Sequence, residues 1–288
     1  MMEPLQSQNK QLDETNIGES LKLFQLQLAQ TATTVAQEFL QFHQGILNTV
    51  ARIQPMVDTI AKIKQNIEPF FVKLSHALEQ LPGRTRSILA TLAQHGWYID
   101  PDMNLPEIAD MVMLFEQGEV TKANNELVLY FDQRKDAILS ELCTAFPKRA
   151  NIFTSAFEAH ADGKYDLSIP VLLTQADGIC LELTGAQLYS KQRDRKVTRV
   201  AEVVATFDVD SFTAALLYPL TEVFPIAFSS EERVGLPDIL NRHAILHGES
   251  ITYGTHINSC KAISLVSFTA WVLSSINKPS YKSAVETH

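Results

Sequence analysis

A chain of 288 residues, 45% hydrophobic and 20% charged, is long enough for two domains or for one domain with a helical extension, and this composition excludes an intrinsically disordered protein. A net charge of -9 gives the chain as a whole no electrostatic footprint for nucleic acid, while a local basic patch remains able to bind RNA. Cys143, Cys180 and Cys260 are odd in number, far apart and without a CxxC pair, which excludes a disulfide scaffold and points to a reduced, cytoplasmic chain.

Residues 1–18 read as a polar, disordered leader with no apolar run to serve as a signal peptide. From Leu21 to Leu78 apolar residues recur at a mean step of about 3.56, between the coiled-coil and straight-helix periods. Residues 19–81 are therefore expected to be long amphipathic helices, hinged near Pro55 and Pro69, each of which removes a helix hydrogen bond. Their apolar stripe serves as an ordinary core face, as the seam of a homodimer, or as a surface for a protein partner.

A middle helical region follows over 82–146. Residues 84–95 read as a short helix and Gly96–Asp102 as a turn with aromatic anchors. Pro106–Glu116 and Glu119–Ala145 read as helices divided at Gly118, and Pro147 breaks the chain. A C-terminal bundle is expected over 147–276. It begins with a helix over 149–162 stopped by Gly163, then one from Asp166 or Ser168, both credible N-caps, to Leu183, with Pro170 in its first turn. A basic segment is followed by one or two helices across 208–228, a helix over Pro237–Gly248, a loop over 249–256, an apolar helix over Asn258–Ile276 and a frayed tail at 277–288. The expected class is all-α. The most apolar stretches, Phe212–Phe228 and Ala262–Leu273, are interrupted or too short for a membrane span, so no membrane role is expected.

Arg242 and His247 are separated by about 140° around an ideal helix, so both face one phosphate only if His247 sits on a distorted last turn, which Gly248 directly after it would allow. The run Asn241-Arg242-His243-Ala244-Ile245-Leu246-His247-Gly248, followed by Tyr253-Gly254-Thr255, Asn258 and Lys261, resembles the HEPN superfamily, whose signature is Arg followed four to six residues later by His near the end of a core helix. Upstream, Ala159-His160, Tyr165, Leu167-Ser168-Ile169-Pro170, Leu172-Leu173 and Gln175 to Ile179 resemble the helix that precedes it in bacterial HEPN-like proteins. The resemblance covers roughly 147–275 well and 82–146 weakly. Family members often carry Asn or Asp directly after the Arg, whereas here His243 follows it and Asn241 precedes it.

The resemblance implies metal-independent endoribonucleolytic cleavage at a cleft between two copies, with prokaryotic defence or toxin–antitoxin systems as the setting. The chemistry suits the residues. Histidine, with an unperturbed pKa of about 6.5, moves protons to and from ribose and leaving-group oxygens, and arginine stabilises charge on the phosphoryl oxygens. On this reading Arg242 and His247 are catalytic, RNA is the partner, and no metal or cofactor is expected. Asn241, His243, Asp177, Tyr253, Asn258 and Lys261 are supporting residues.

Other readings stand beside it. Arg242 would otherwise pair with Glu231, Glu232 or Asp238, and His247 would cap a helix C-terminus. Asp177, inside an apolar helix, suits a structural partner for Arg242 or a neighbouring helix better than a catalytic part. Tyr253, Asn258 and Lys261 either line the same pocket or serve loop packing, an N-cap and a solvated surface. Lys191, Arg193, Arg195, Lys196 and Arg199 form the densest basic stretch, which holds phosphates beside the cleft or is a solvated linker. His243, His247, His256 and Cys260 have zinc-ligand spacing in two i, i+4 pairs, although Ala244 after His243 rules out the HExxH motif. No Walker loop, GxGxxG or GxSxG is present. The competing function is a non-catalytic helical interaction protein working through its N-terminal stripe.

Overall fold

The computed structural model describes residues 82–191, 198–206, 211–236 and 239–276. The leader, the amphipathic stripe from Leu21 to Leu78 and the tail at 277–288 lie outside the described residues, as do Arg193, Arg195 and Lys196. The fold is all-α. Among the described residues there are nine helices and no strand, with one isolated antiparallel bridge between Lys191 and Thr198.

The helices are α1 (82–94), α2 (Leu105–Glu116), α3 (Val120–Ala145), α4 (Ala150–Ala161), α5 (Tyr165–Thr184), α6 (Arg199–Val204), α7 (Ser211–Thr221), α8 (Arg242–Leu246) and α9 (His256–Ile276). Local chemistry sets most of their ends. Asn104 caps α2 by accepting from the Glu107 amide at 2.9 Å, and Pro106 occupies an early helical position where no intrahelical donor is needed. Along α3, Ala123, Leu127, Phe131, Ile138 and Leu142 fall on the buried face. Pro147 opens a short 3-10 turn, Pro147–Arg149, instead of extending α3. The turn at Gly96 leads into the buried Trp97, whose Nε1 donates to Asn124 Oδ1 at 2.8 Å while its ring stacks on Phe131.

The start of α5 differs from expectation. The helix begins at Tyr165, so neither Asp166 nor Ser168 caps it, and Ser168 is buried within it. Pro170 is therefore an interior residue, not a first-turn one. Lacking an N–H, it leaves the Asp166 carbonyl without its helical donor. The Tyr253 hydroxyl supplies the missing bond, donating to the Asp166 carbonyl oxygen at 3.0 Å. Gly254 follows in close approach, since a Cβ there would lie 3.3 Å from the Asp166 amide nitrogen.

One continuous hydrophobic core runs from Leu89 to Leu273 and draws on both the 82–146 and the 147–276 segments. At its centre is α9, packed against α3, α5 and α7, with buried residues on every side of the helix. Its 21 residues, like the 20 of α5, are long and apolar enough by length and composition to cross a bilayer, which the shorter expected stretch 262–273 was not. Burial inside the bundle accounts for the composition of α9, whose most apolar window is 83% buried.

Candidate functional site

The helix expected over Pro237–Gly248 is only five residues long, from Arg242 to Leu246. The reason lies in Asn241, which is extended, 1% exposed, and committed to three hydrogen bonds. Its Oδ1 accepts from the Ala244 amide at 2.9 Å, and its Nδ2 donates to the Pro225 and Phe228 carbonyls at 2.8 and 2.9 Å. Asn241 thus caps α8 and ties it to the preceding 3-10 turn, Pro225–Ala227. Asn241→Ala is expected to destabilise the fold by about 3 kcal/mol, the sum of a lost cap and two buried carbonyls left bare. Asn241→Asp should be no milder, because its second oxygen faces those carbonyls. Urea unfolding of both variants checks this.

At the other end, His247 is the C-cap of α8 and Gly248 follows at φ 71°, a left-handed conformation that glycine adopts without strain. The Glu249 amide donates to the Ala244 carbonyl at 2.8 Å and that of Gly248 to the Ile245 carbonyl at 3.2 Å, a Schellman closure. His247 therefore stands on the distorted helix end that its spacing from Arg242 requires.

Arg242 opens onto a cleft of about 150 Å³ whose lining includes Tyr189, Lys191, Phe228, Ser229 and His243. That is on the order of five liquid-water volumes, room for a phosphoryl group. The Arg242 guanidinium lies 5.3 Å from the centre of the Tyr189 ring, and Asp177 Oδ2 is 3.9 Å away, too far for a hydrogen bond. Its Nε is buried with no hydrogen-bond partner. Asp177 is occupied elsewhere, its Oδ1 accepting from the Leu188 amide at 2.7 Å, so its part is to fix the chain that carries Tyr189. Lys191 pairs with Glu232. Among the acidic residues proposed as partners of Arg242, Glu232 is thus engaged by another cation, and Asp238 lies outside the described residues.

His243 lines the cleft with Arg242, and the exposed His247 packs against it with ring centres 4.3 Å apart. Within one chain the cleft thus gathers Arg242 and His243, with His247 behind them. Glu249 sits 3.4 Å from His243 Nε2, and its carboxyl is held below the usual carboxylate range chiefly by its hydrogen bond from Arg233.

The remaining expected site residues are spread out. Tyr253 repairs α5, and Asn258 donates from Nδ2 to the Tyr253 carbonyl at 3.0 Å, so both shape the loop after α8. The α9 helix begins two residues before Asn258, whose own amide donates to Thr255 Oγ1 at 3.2 Å. Lys261 packs over the Trp97 ring at 5.6 Å, where burial pushes its ammonium down to about 8. Arg199 is exposed at the start of α6. Tyr189, Phe228 and Ser229 were not legible as site residues, having no motif or spacing to mark them. The four-residue zinc set does not assemble either. Among the described residues, only His256 and Cys260 of its members join a cluster of four metal-ligating side chains, with Asp132 and His160. Comparison of the chain with protein-family models, with curated proteins and with solved structures finds no match.

Proposed function

We propose that the chain is a metal-independent endoribonuclease of HEPN type, acting as a homodimer, in which Arg242 stabilises phosphoryl charge and His247 transfers a proton. The observation that carries this reading is the state of Arg242. It faces an open, phosphate-sized cleft, it is braced against Tyr189, and its donors are not spent on Asp177. Lys191, paired with Glu232, lies on the cleft wall. A planar cation in a partly desolvated cleft stabilises an oxyanion much more than it would in water.

In the proposed reaction the ribose 2′-oxygen attacks the adjacent phosphorus while its proton passes to an imidazole. The 5′-oxygen leaves with a proton from a second imidazole, and the products carry a 2′,3′-cyclic phosphate and a 5′-hydroxyl. Cleavage thus needs the 2′-hydroxyl and spares DNA. A second copy supplies the second imidazole.

Incubating the purified full chain with total RNA, with no divalent cation added, tests the proposal. The expected result is fragmentation with cyclic-phosphate ends, and no cutting of DNA of the same sequence. A folded, dimeric chain that leaves RNA intact would overturn it.

A further inference from the structure

Three core helices bring four metal-ligating side chains to one point, Asp132 from α3, His160 from α4, and His256 and Cys260 from adjacent turns of α9. One ligand atom from each lies within 4.8 Å of every other. Asp132 Oδ1 is 2.9 Å from His256 Nε2, 3.6 Å from His160 Nε2 and 3.8 Å from Cys260 Sγ. Zinc bonds of about 2.0–2.2 Å to nitrogen or oxygen and about 2.3 Å to sulfur give tetrahedral ligand–ligand edges of roughly 3.3–3.8 Å. Two of the three separations already match those edges, and His256 needs to withdraw by only a few tenths of an ångström.

The surroundings are built for ligation. His160 Nδ1 lies 2.8 Å from Ser259 Oγ, which lies 2.7 Å from Ser168 Oγ, and all three residues are buried. A metal-bound histidine characteristically spends its other ring nitrogen on such a hydrogen bond, which fixes the tautomer and aims the free nitrogen at the ion. The His256 ring stacks on Tyr165 at 5.3 Å. His160 and Cys260 are buried while Asp132 and His256 are half-exposed, so the point is closed on the core side and reachable from the other.

We propose that Asp132, His160, His256 and Cys260 form a tetrahedral site for a zinc-class divalent ion that clamps α3, α4 and α9 together. Two nitrogens, a sulfur and an oxygen suit a borderline-soft ion and not calcium or magnesium, which take oxygen ligands. Coordination takes the thiolate, so binding releases the Cys260 proton to solvent, and thiolate plus carboxylate then neutralise the divalent charge. The neighbouring Lys135 ammonium, 3.3 Å from the Asp132 carbonyl oxygen, opposes a cation but is outweighed by those two anionic ligands. With all four positions filled by protein the site is structural.

The site shares no residue with the Arg242 cleft, so its test does not depend on RNA cleavage. Tag-free full chain, purified without chelator, is expected to carry about one zinc per chain by elemental analysis. Exchange for Co²⁺ should give a thiolate-to-cobalt charge-transfer band in the near ultraviolet and intense visible bands of tetrahedral cobalt. Cys260→Ser should abolish the first band. Asp132→Asn and His256→Gln alter half-exposed residues and keep the test readable if the cysteine variant does not fold. Ser259→Ala should weaken Co²⁺ affinity by about 10–100-fold. The proposal is overturned if folded wild-type chain gives no cobalt–thiolate band. It is equally overturned if Asp132→Asn and His256→Gln, helical by circular dichroism, bind Co²⁺ as tightly as wild type. The four residues would then be a hydrogen-bonded cluster only.

Discussion

Arg242→Ala is expected to slow cleavage of a defined RNA by about 100–1000-fold, the usual loss when one charge-stabilising donor is removed from a transition state. The fold should survive, because Arg242 is half-exposed and its contact with Asp177 is a long one at 3.9 Å. Arg242→Lys should not restore the rate, since a point charge cannot replace the planar fork of donors. His247→Ala should lose about 100- to 10,000-fold, the range for a removed general acid or base. His243→Ala separates two arrangements of the same chemistry. A loss equal to that of His247→Ala means the adjacent pair within one chain divides the roles of base and acid, and a small loss leaves the second proton transfer to the partner copy. If Arg242→Ala and His247→Ala both cut RNA at the wild-type rate with their thermal transitions unchanged, the enzyme reading fails and a helical interaction protein remains.

A comparably large effect, on stability, is expected at Arg134. Its Nη2 lies 3.4 Å from Asp100 Oδ1, 2.7 Å from Asp102 Oδ2 and 3.0 Å from Glu141 Oε1. Asp102 is exposed and Glu141 partly so, and both pairs are screened by solvent more than the Asp100 pair. Asp100 differs, being 0% exposed, with one carboxyl oxygen accepting from the Asp102 amide and the Tyr130 hydroxyl as its other polar neighbour. Arg134→Ala therefore leaves a buried charge with no counter-ion, at a cost of about 3–5 kcal/mol near neutral pH. Burial already raises the Asp100 pKa and Arg134 opposes that rise, so the variant carboxyl should titrate higher still. A folded-state pKa above the unfolded value means the native state binds the extra proton, and stability falls as pH rises from the unfolded value upward. The penalty of Arg134→Ala should accordingly be smaller at pH 5 than at pH 7.5 in urea unfolding. An equal penalty at both would place the effect outside Asp100.

The helical class and most boundaries were legible because their causes are local. Gly118, Pro147, Gly163 and Gly185 end helices through backbone geometry that each residue carries with it. Where tertiary bonds decide, the sequence misled. The Asn241 bonds to the Pro225 and Phe228 carbonyls shorten the expected helix to α8, and the Tyr253 bond to the Asp166 carbonyl lets α5 begin early enough to enclose Pro170. The six-residue α6 is too short to show a period and was not expected. The metal-ligating cluster was half visible. His256 and Cys260 are one helical turn apart, but Asp132 is 124 positions from His256 and no spacing rule links them. The helix-end geometry at His247 was anticipated, because Gly248 is adjacent to it.

The position of α9 in the chain governs when this protein can fold. It is the last helix among the described residues, yet it lies between α3, α5 and α7 and fills the middle of the core. During synthesis at about 5–20 residues per second, the apolar faces of α3 and α5 emerge well before the helix that covers them. Until residue 276 has cleared the ribosome, those faces lack the helix that covers them. A chain interrupted before His256 lacks the helix that fills the middle of the core.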